Sequence, residues 1–183
     1  SRSVTAAILI LGLAPLANVC GILVAKVTGT NLEALEYVGS LVRRASWFEL
    51  GVLAVVLTVL PAIVEETIFR GLVLGSLDEW RPPVALCVSA LAFGAFHLDV
   101  AQGVATAILG LGFGYIVQTT GSLLGAMVAH ATYNLFVLLT QRFIPMTTAP
   151  VKWQLLELAV GLSIAALAVH RLHRLRYEPR AEN

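Results

Sequence analysis

Charge is what this sequence has least of. Asp, Glu, Lys and Arg make up 13% of its 183 residues, against about 25% in an ordinary soluble domain. With 58% hydrophobic residues and a mean hydropathy of +0.85, the composition excludes a soluble domain and places the chain in a bilayer. The formal net charge is +1 and the basic residues are scattered except at the C-terminal end. There is thus no basic field of the kind that holds nucleic acid. Cysteine is scarce too. Cys20 and Cys87 lie in apolar segments at a spacing that matches neither a disulfide framework nor a metal site, so both are read as packing residues. No His-Glu-x-x-His helix, internal repeat or low-complexity tract is present.

What is there is a series of apolar runs. Six are candidate spans: Val4 to Val27, Leu50 to Leu77, Val84 to Leu98, Gly103 to Val117, Ser122 to Leu139 and Leu155 to His170. The third, fourth and sixth are short, so their ends extend or they tilt little. The expected fold is all-α, a polytopic membrane helix bundle forming a single integral-membrane domain over residues 1–183. Its catalytic core is expected at about 50–139. Between the first two spans, Asn31 to Phe48 carries Leu32, Leu35, Val38, Leu41 and Val42 at helical spacing, opposed by Glu33, Glu36, Arg43 and Arg44. This segment reads as an amphipathic helix in the interface or as a short soluble connector.

The chain opens at Ser1 rather than at Met, so further residues upstream are expected. The first run is too long for a signal peptide and is read as a retained helix. If the N-terminus is cytoplasmic, Lys and Arg in the flanks divide six inside against five outside. The basic tail from His170 to Arg180 tips the assignment toward both termini being cytoplasmic.

Against this apolar background, Glu65, Glu66 and Arg70 stand inside the second run. An ionisable group at the centre of a span costs ~2.5 kcal/mol or more, so such residues face a protein interior or water and usually have a function there. Glu66 and Arg70 are four apart and share a helix face, whereas Glu65 points about 100° away. Pro61, four residues before Glu65, removes a backbone hydrogen bond and predicts a kink that opens room for water. Phe93 and His97 share a face of the third run, with Gly94 between them. His130 and Asn134 share a face of the fifth. Three helices therefore present polar groups to one interior.

A carboxylate beside an imidazole in a low-dielectric pocket can hold a water and take its proton. A second imidazole with an amide can stabilise the oxyanion formed when that water attacks a carbonyl, a contribution of ~3–4 kcal/mol per donor in measured cases. Peptide-bond hydrolysis is the reaction class that uses all of these groups. Serine and aspartyl mechanisms lack their motifs, since there is no Gly-x-Ser-Gly and no aspartate follows the run Gly110 to Gly114. Those glycines suit tight helix packing, or alternatively the wall of a peptide groove. Two further readings stay open, a transporter or proton/cation-coupled channel and a non-catalytic peptide-binding or immunity protein. The first leaves unexplained why Asn134 follows His130 by one turn.

Glu-Glu-x-x-x-Arg at Glu65 to Arg70, Phe-x-x-x-His at Phe93 to His97 and His-x-x-x-Asn at His130 to Asn134 together resemble the CPBP intramembrane proteases. These are also called the Abi or CAAX-protease and bacteriocin-processing family, and the likeness is to an Rce1-like core. The resemblance covers roughly Leu50 to Leu139. It implies that Glu65 is the catalytic base acting with His97 and that His130 and Asn134 form the oxyanion hole. Glu66, Arg70 and Phe93 are implied to be supporting residues. It also implies an all-helical core, often with eight spans, so six here point to a compact member or to a missing N-terminal segment. No cofactor is favoured. Were zinc to take part, Glu65, His97 and His130 would be its ligands with one position open. The expected partners are the lipid bilayer and a membrane-associated protein or peptide substrate: a C-terminal anchor, a leader peptide or a prenylated tail. The alanine-rich, compact chain is expected in a bacterial inner membrane as a multi-pass protein.

Overall fold

The structure is a computed structural model that describes residues 2–30, 33–143 and 151–177. Among them seven helices follow one another: α1 (Arg2–Thr28), α2 (Glu33–Arg44), α3 (Trp47–Leu77), α4 (Pro82–Phe96), α5 (Val100–Thr120), α6 (Leu123–Phe143) and α7 (Val151–Tyr177). No strand occurs among the described residues. Five of the helices, α1, α3, α5, α6 and α7, are long and apolar enough to cross a membrane. The fold is therefore all-α, and the protein is an integral membrane protein built as a polytopic helix bundle.

The third of the six expected spans, Val84 to Leu98, is where the structure departs most from the hydropathy pattern. α4 has 15 residues, a length of about 22 Å at the α-helical rise, short of a hydrocarbon core of about 30 Å. Its end is set by the turn His97-Leu98-Asp99. Leu98 takes a positive φ of 56°, which a branched side chain adopts only at a cost of ~1 kcal/mol or more. Asp99 then caps α5, its Oδ1 accepting from Gln102 N at 2.7 Å. The fourth and sixth runs are longer than expected, as α5 and α7 extend to 21 and 27 residues.

The amphipathic segment ends at Arg44, earlier than expected. Ser46 begins a new helix with a capping box, in which Glu49 N donates to Ser46 Oγ at 3.3 Å and Ser46 N donates to Glu49 Oε2 at 2.7 Å. Trp47 and Phe48 thus belong to α3. On α2, Val42 is buried with Leu50 and Leu138, whereas Tyr37, Val38 and Leu41 are exposed. Asn31 and Leu32 lie outside the described residues, as do the side chains of Glu33 and Leu35 and the tail residue Arg180.

α3 is not a uniform α-helix. Its hydrogen bonding widens to a π turn at Val55–Val59 and again at Thr67–Val73, with the stretch bearing Glu65 and Glu66 between them. The first π turn is the form taken by the expected Pro61 kink. With no N–H at Pro61, the ladder shifts register just before it, and Leu60 N reaches back to Val55 O. The second shift repeats this at Leu74 N, which donates to Phe69 O at 2.9 Å.

Packing among the other helices depends on small residues. α1 lies against α5, α6 and α7, and α4 lies against α5. A Cβ on Gly12 would stand 2.8 Å from Ala165 N and 2.9 Å from Gly161 O, so α1 and α7 meet backbone to backbone. Gly94 and Gly103 bring α4 and α5 together in the same way. Arg2 Nη2 donates to Leu175 O at 2.6 Å, which places the start of α1 and the end of α7 on one side of the bundle. The core holds Leu9, Ile10, Phe93, Phe113, Ile116 and Leu172. Cys20 is half-buried, but Cys87 is exposed on the outside of α4, so only the former packs within the protein.

Candidate functional site

The site is assembled from four helices. From α3, Glu66 Oε1 meets Arg70 Nη1 at 3.0 Å one turn away, and neither side chain has any exposure. A buried ion pair needs further partners to offset its desolvation, and among the described residues Glu66 Oε2 and Arg70 Nε have none. Here Arg70 Nη2 donates to Gly110 O of α5 at 2.9 Å. Its guanidinium also lies 4.5 Å from the Phe93 ring centroid and 5.2 Å from that of Phe113. This approach requires glycine at 110, where a Cβ would sit 3.1 Å from Arg70 Nη2 and 3.2 Å from both Phe93 Cδ1 and Ala90 Cα. The run Gly110 to Gly114 therefore packs inside the bundle and does not wall an open groove.

α6 contributes His130, which is buried between the two glutamates. Its Nδ1 is 2.9 Å from Glu66 Oε1 and its Nε2 is 3.8 Å from Glu65 Oε2. Its ring stacks on Phe113, with centroids 4.6 Å apart and planes inclined by 17°. Glu66 accepts from Arg70, and as a carboxylate it accepts from His130 Nδ1 as well. Nδ1 of this imidazole therefore carries a proton, and Nε2 faces Glu65. The Glu65 side chain is 18% exposed where that of Glu66 is fully enclosed.

His97 stands at the C-terminal cap of α4. Its Nδ1 lies 3.0 Å from Phe93 O and 3.4 Å from Thr106 Oγ1 of α5. A carbonyl can only accept, so Nδ1 carries the proton here too and Nε2 is the free acceptor. Phe93 stands between the two imidazoles, edge-on to His97 at 5.1 Å and to His130 at 5.9 Å. Asn134, one turn beyond His130, is half-buried and its side chain makes no hydrogen bond to the described residues. Among the described residues the ionic contact of Glu65 is with His130, whereas Nδ1 of His97 faces its own helix at Phe93 O. Among the described residues no group of three His, Cys, Asp or Glu side chains is arranged to hold a metal ion.

Four participants were not legible in the sequence. Phe113 stacks under His130, the Gly110 carbonyl anchors Arg70, and Thr106 meets His97. Buried Ser89 ties α4 to the second π turn, its Oγ donating to Phe69 O at 2.7 Å. Their only sequence signal is small or aromatic residues within apolar runs, which is also the signal of ordinary packing. Beside His97, an outward groove of about 350 Å³ crosses the α4–α5 corner, lined in part by Leu91, Gly94, Leu98, Asp99, Val104 and Ala107. Irregular backbone at membrane depth is tolerated only where it lines protein or water, and this corner brings such backbone to His97.

Residues 47–136, from the start of α3 into α6, match the protein family described as Type II CAAX prenyl endopeptidase Rce1-like. No curated protein and no solved structure matches the chain. The matched segment contains every residue of the cluster just described, from Glu65 to Asn134. The chain is thus built around an Rce1-like core of the CPBP protease family.

Proposed function

We propose that this protein is an intramembrane endopeptidase in which Glu65 is the base that activates water for attack on a peptide carbonyl. The observation that carries this reading is the division between neighbouring carboxylates. Glu66 is enclosed and committed to Arg70 and His130, while Glu65 stays partly open beside the same imidazole. In the reaction, Glu65 takes a proton from a water that His97 Nε2 orients by accepting its other hydrogen. The water oxygen attacks the carbonyl carbon, and the resulting oxyanion receives hydrogen bonds from Asn134 and His130. Since Nδ1 of His130 is held by Glu66, the hydrogen bond from His130 to the oxyanion is made through a proton on Nε2. Collapse of the tetrahedral intermediate expels the amine, which leaves with the proton from Glu65.

No step in this scheme is routed through a metal. The purified protein is expected to retain cleavage after exhaustive chelation, and activity restored only by added zinc would reverse that choice. Glu65→Gln tests the assignment of the base. Turnover of a membrane-associated peptide should vanish while the melting temperature and peptide binding are kept, and cleavage at the wild-type rate would remove Glu65 from the role. The substrate class that fits a hydrolytic site among lipid-facing helices is a protein or peptide itself held in the membrane. A bacterial inner membrane is the proposed location. Comparing C-termini and peptide products between wild-type and Glu65→Ala cells identifies the substrate.

A further inference from the structure

Three arginines gather where α2 ends, α3 begins and α6 ends. Arg142 Nη1 donates to Arg43 O, with Val42 O at 3.4 Å, and so caps the last carbonyls of α2. The Arg142 guanidinium lies 5.7 Å from the Trp47 ring centroid. Arg43 Nη1 is buried against Gly39, 3.1 Å from the position a Cβ would take there, and has no acceptor among the described residues. Arg44 is exposed. None of the three forms an ion pair among the described residues. Glu49, the acid closest along the chain, is committed to Ser46 N.

The same Trp47 that meets Arg142 also begins an apolar trough along α3. Trp47, Phe48, Gly51, Val52, Val55 and Val56 line a depression of about 530 Å³. It exists because Gly51 has no side chain and nothing stands within 4 Å of where its Cβ would be. Trp47 and Phe48 are 73% and 81% exposed, as aromatic residues at a membrane interface are. A cluster of positive charge without acidic partners among the described residues thus adjoins an open apolar trough along the membrane-spanning helix.

We propose that this is a binding site for an anionic phospholipid. The phosphate is held by Arg142, Arg43 and Arg44, and one acyl chain lies over Gly51 between Trp47 and Val55. Charge complementarity selects the headgroup, and the trough selects a molecule that carries an acyl chain. A zwitterionic lipid meets the trough but gains less from the arginines, and a free phosphate meets the arginines but not the trough. The site is separate from the proposed chemistry, since it uses none of the residues of the Glu65–His130 cluster.

The test is retention of lipid by the full chain in detergent at limiting lipid, followed by native mass spectrometry. Phosphatidylglycerol and phosphatidylcholine compete, and inorganic phosphate is a separate arm. Wild type should retain phosphatidylglycerol about tenfold better, and Arg44→Gln and Arg142→Gln should each reduce that preference about fivefold. Arg142 also bonds the α2 backbone, so Arg44→Gln is the variant that reads charge alone. Gly51→Leu fills the trough without meeting another residue and should weaken retention of both lipids with the melting temperature unchanged. Equal retention of the two lipids by wild type overturns the proposal, as does an unchanged preference in Arg44→Gln. Gly51→Leu with undiminished retention overturns the acyl seat. Inorganic phosphate stabilising the protein as much as phosphatidylglycerol would assign the cluster to a soluble anion.

Discussion

Glu65 and Glu66 are neighbours in the chain but belong to two differently built halves of the cluster. The Glu66 half is closed. Its carboxylate, the Arg70 guanidinium, the Gly110 carbonyl and His130 Nδ1 bond to one another, with Phe93 and Phe113 around them. The Glu65 half is open, with a partly exposed carboxylate 3.8 Å from His130, a half-buried His97 with Nε2 free and an Asn134 without a partner among the described residues. The contrast teaches how charge is tolerated in an apolar bundle. Where groups bond to one another in low dielectric they act as a rigid frame. Where they are left unpaired, a bound molecule must complete them.

The comparison is broken most severely at Glu65. Glu65→Gln should lower turnover about 10²–10⁴-fold, the range for a lost general base, with an unchanged thermal melt. Glu66→Gln should act instead through stability, and equal loss of activity in two well-folded variants would merge the halves into one unit. Arg70→Gln attacks the closed half by leaving Glu66 charged and buried. It should cost ~3–5 kcal/mol of stability, read as a large fall in melting temperature before any kinetic effect. Gly110→Ala presses a methyl group against Arg70, Phe93 and Ala90, and a loss of ~1–3 kcal/mol is expected from overpacking. The smallest effect belongs to Thr106→Val, which removes the 3.4 Å hydroxyl contact to His97 Nδ1. Turnover should fall at most about tenfold with stability retained, and an unchanged pH–rate profile would show that Thr106 does not orient His97.

Much of this arrangement was legible because helices have a fixed period. Spacing of four puts Glu66 over Arg70, Phe93 over His97 and His130 over Asn134, whatever surrounds them. Glu65 had to diverge from Glu66 for the same reason. The spacing says nothing of which helices meet or how far each is rotated, and that is where expectation and structure part. His130 reaches both glutamates on a stretch of α3 that lies between two π turns, and a register shift at Val55–Val59 and Thr67–Val73 leaves no mark in hydropathy beyond Pro61. The end of α4 at Phe96 depends on Leu98 accepting a positive φ, which no propensity predicts for leucine. Phe113 and Ser89 were invisible because a packing residue and a site residue look alike until a partner stands opposite.

By itself the sequence determined that this chain is an all-α membrane protein, that its few internal charges lie in a central stretch, and which residues share a helix face. Hydropathy and helical period are local properties, and a bilayer enforces both. Only the tertiary structure decided that Glu66 is enclosed while Glu65 stays partly open, that His130 stands between them, and that Arg142 joins Arg43 across the bundle. Those outcomes rest on contacts between residues 40 to 100 positions apart, and no periodicity within one helix encodes them.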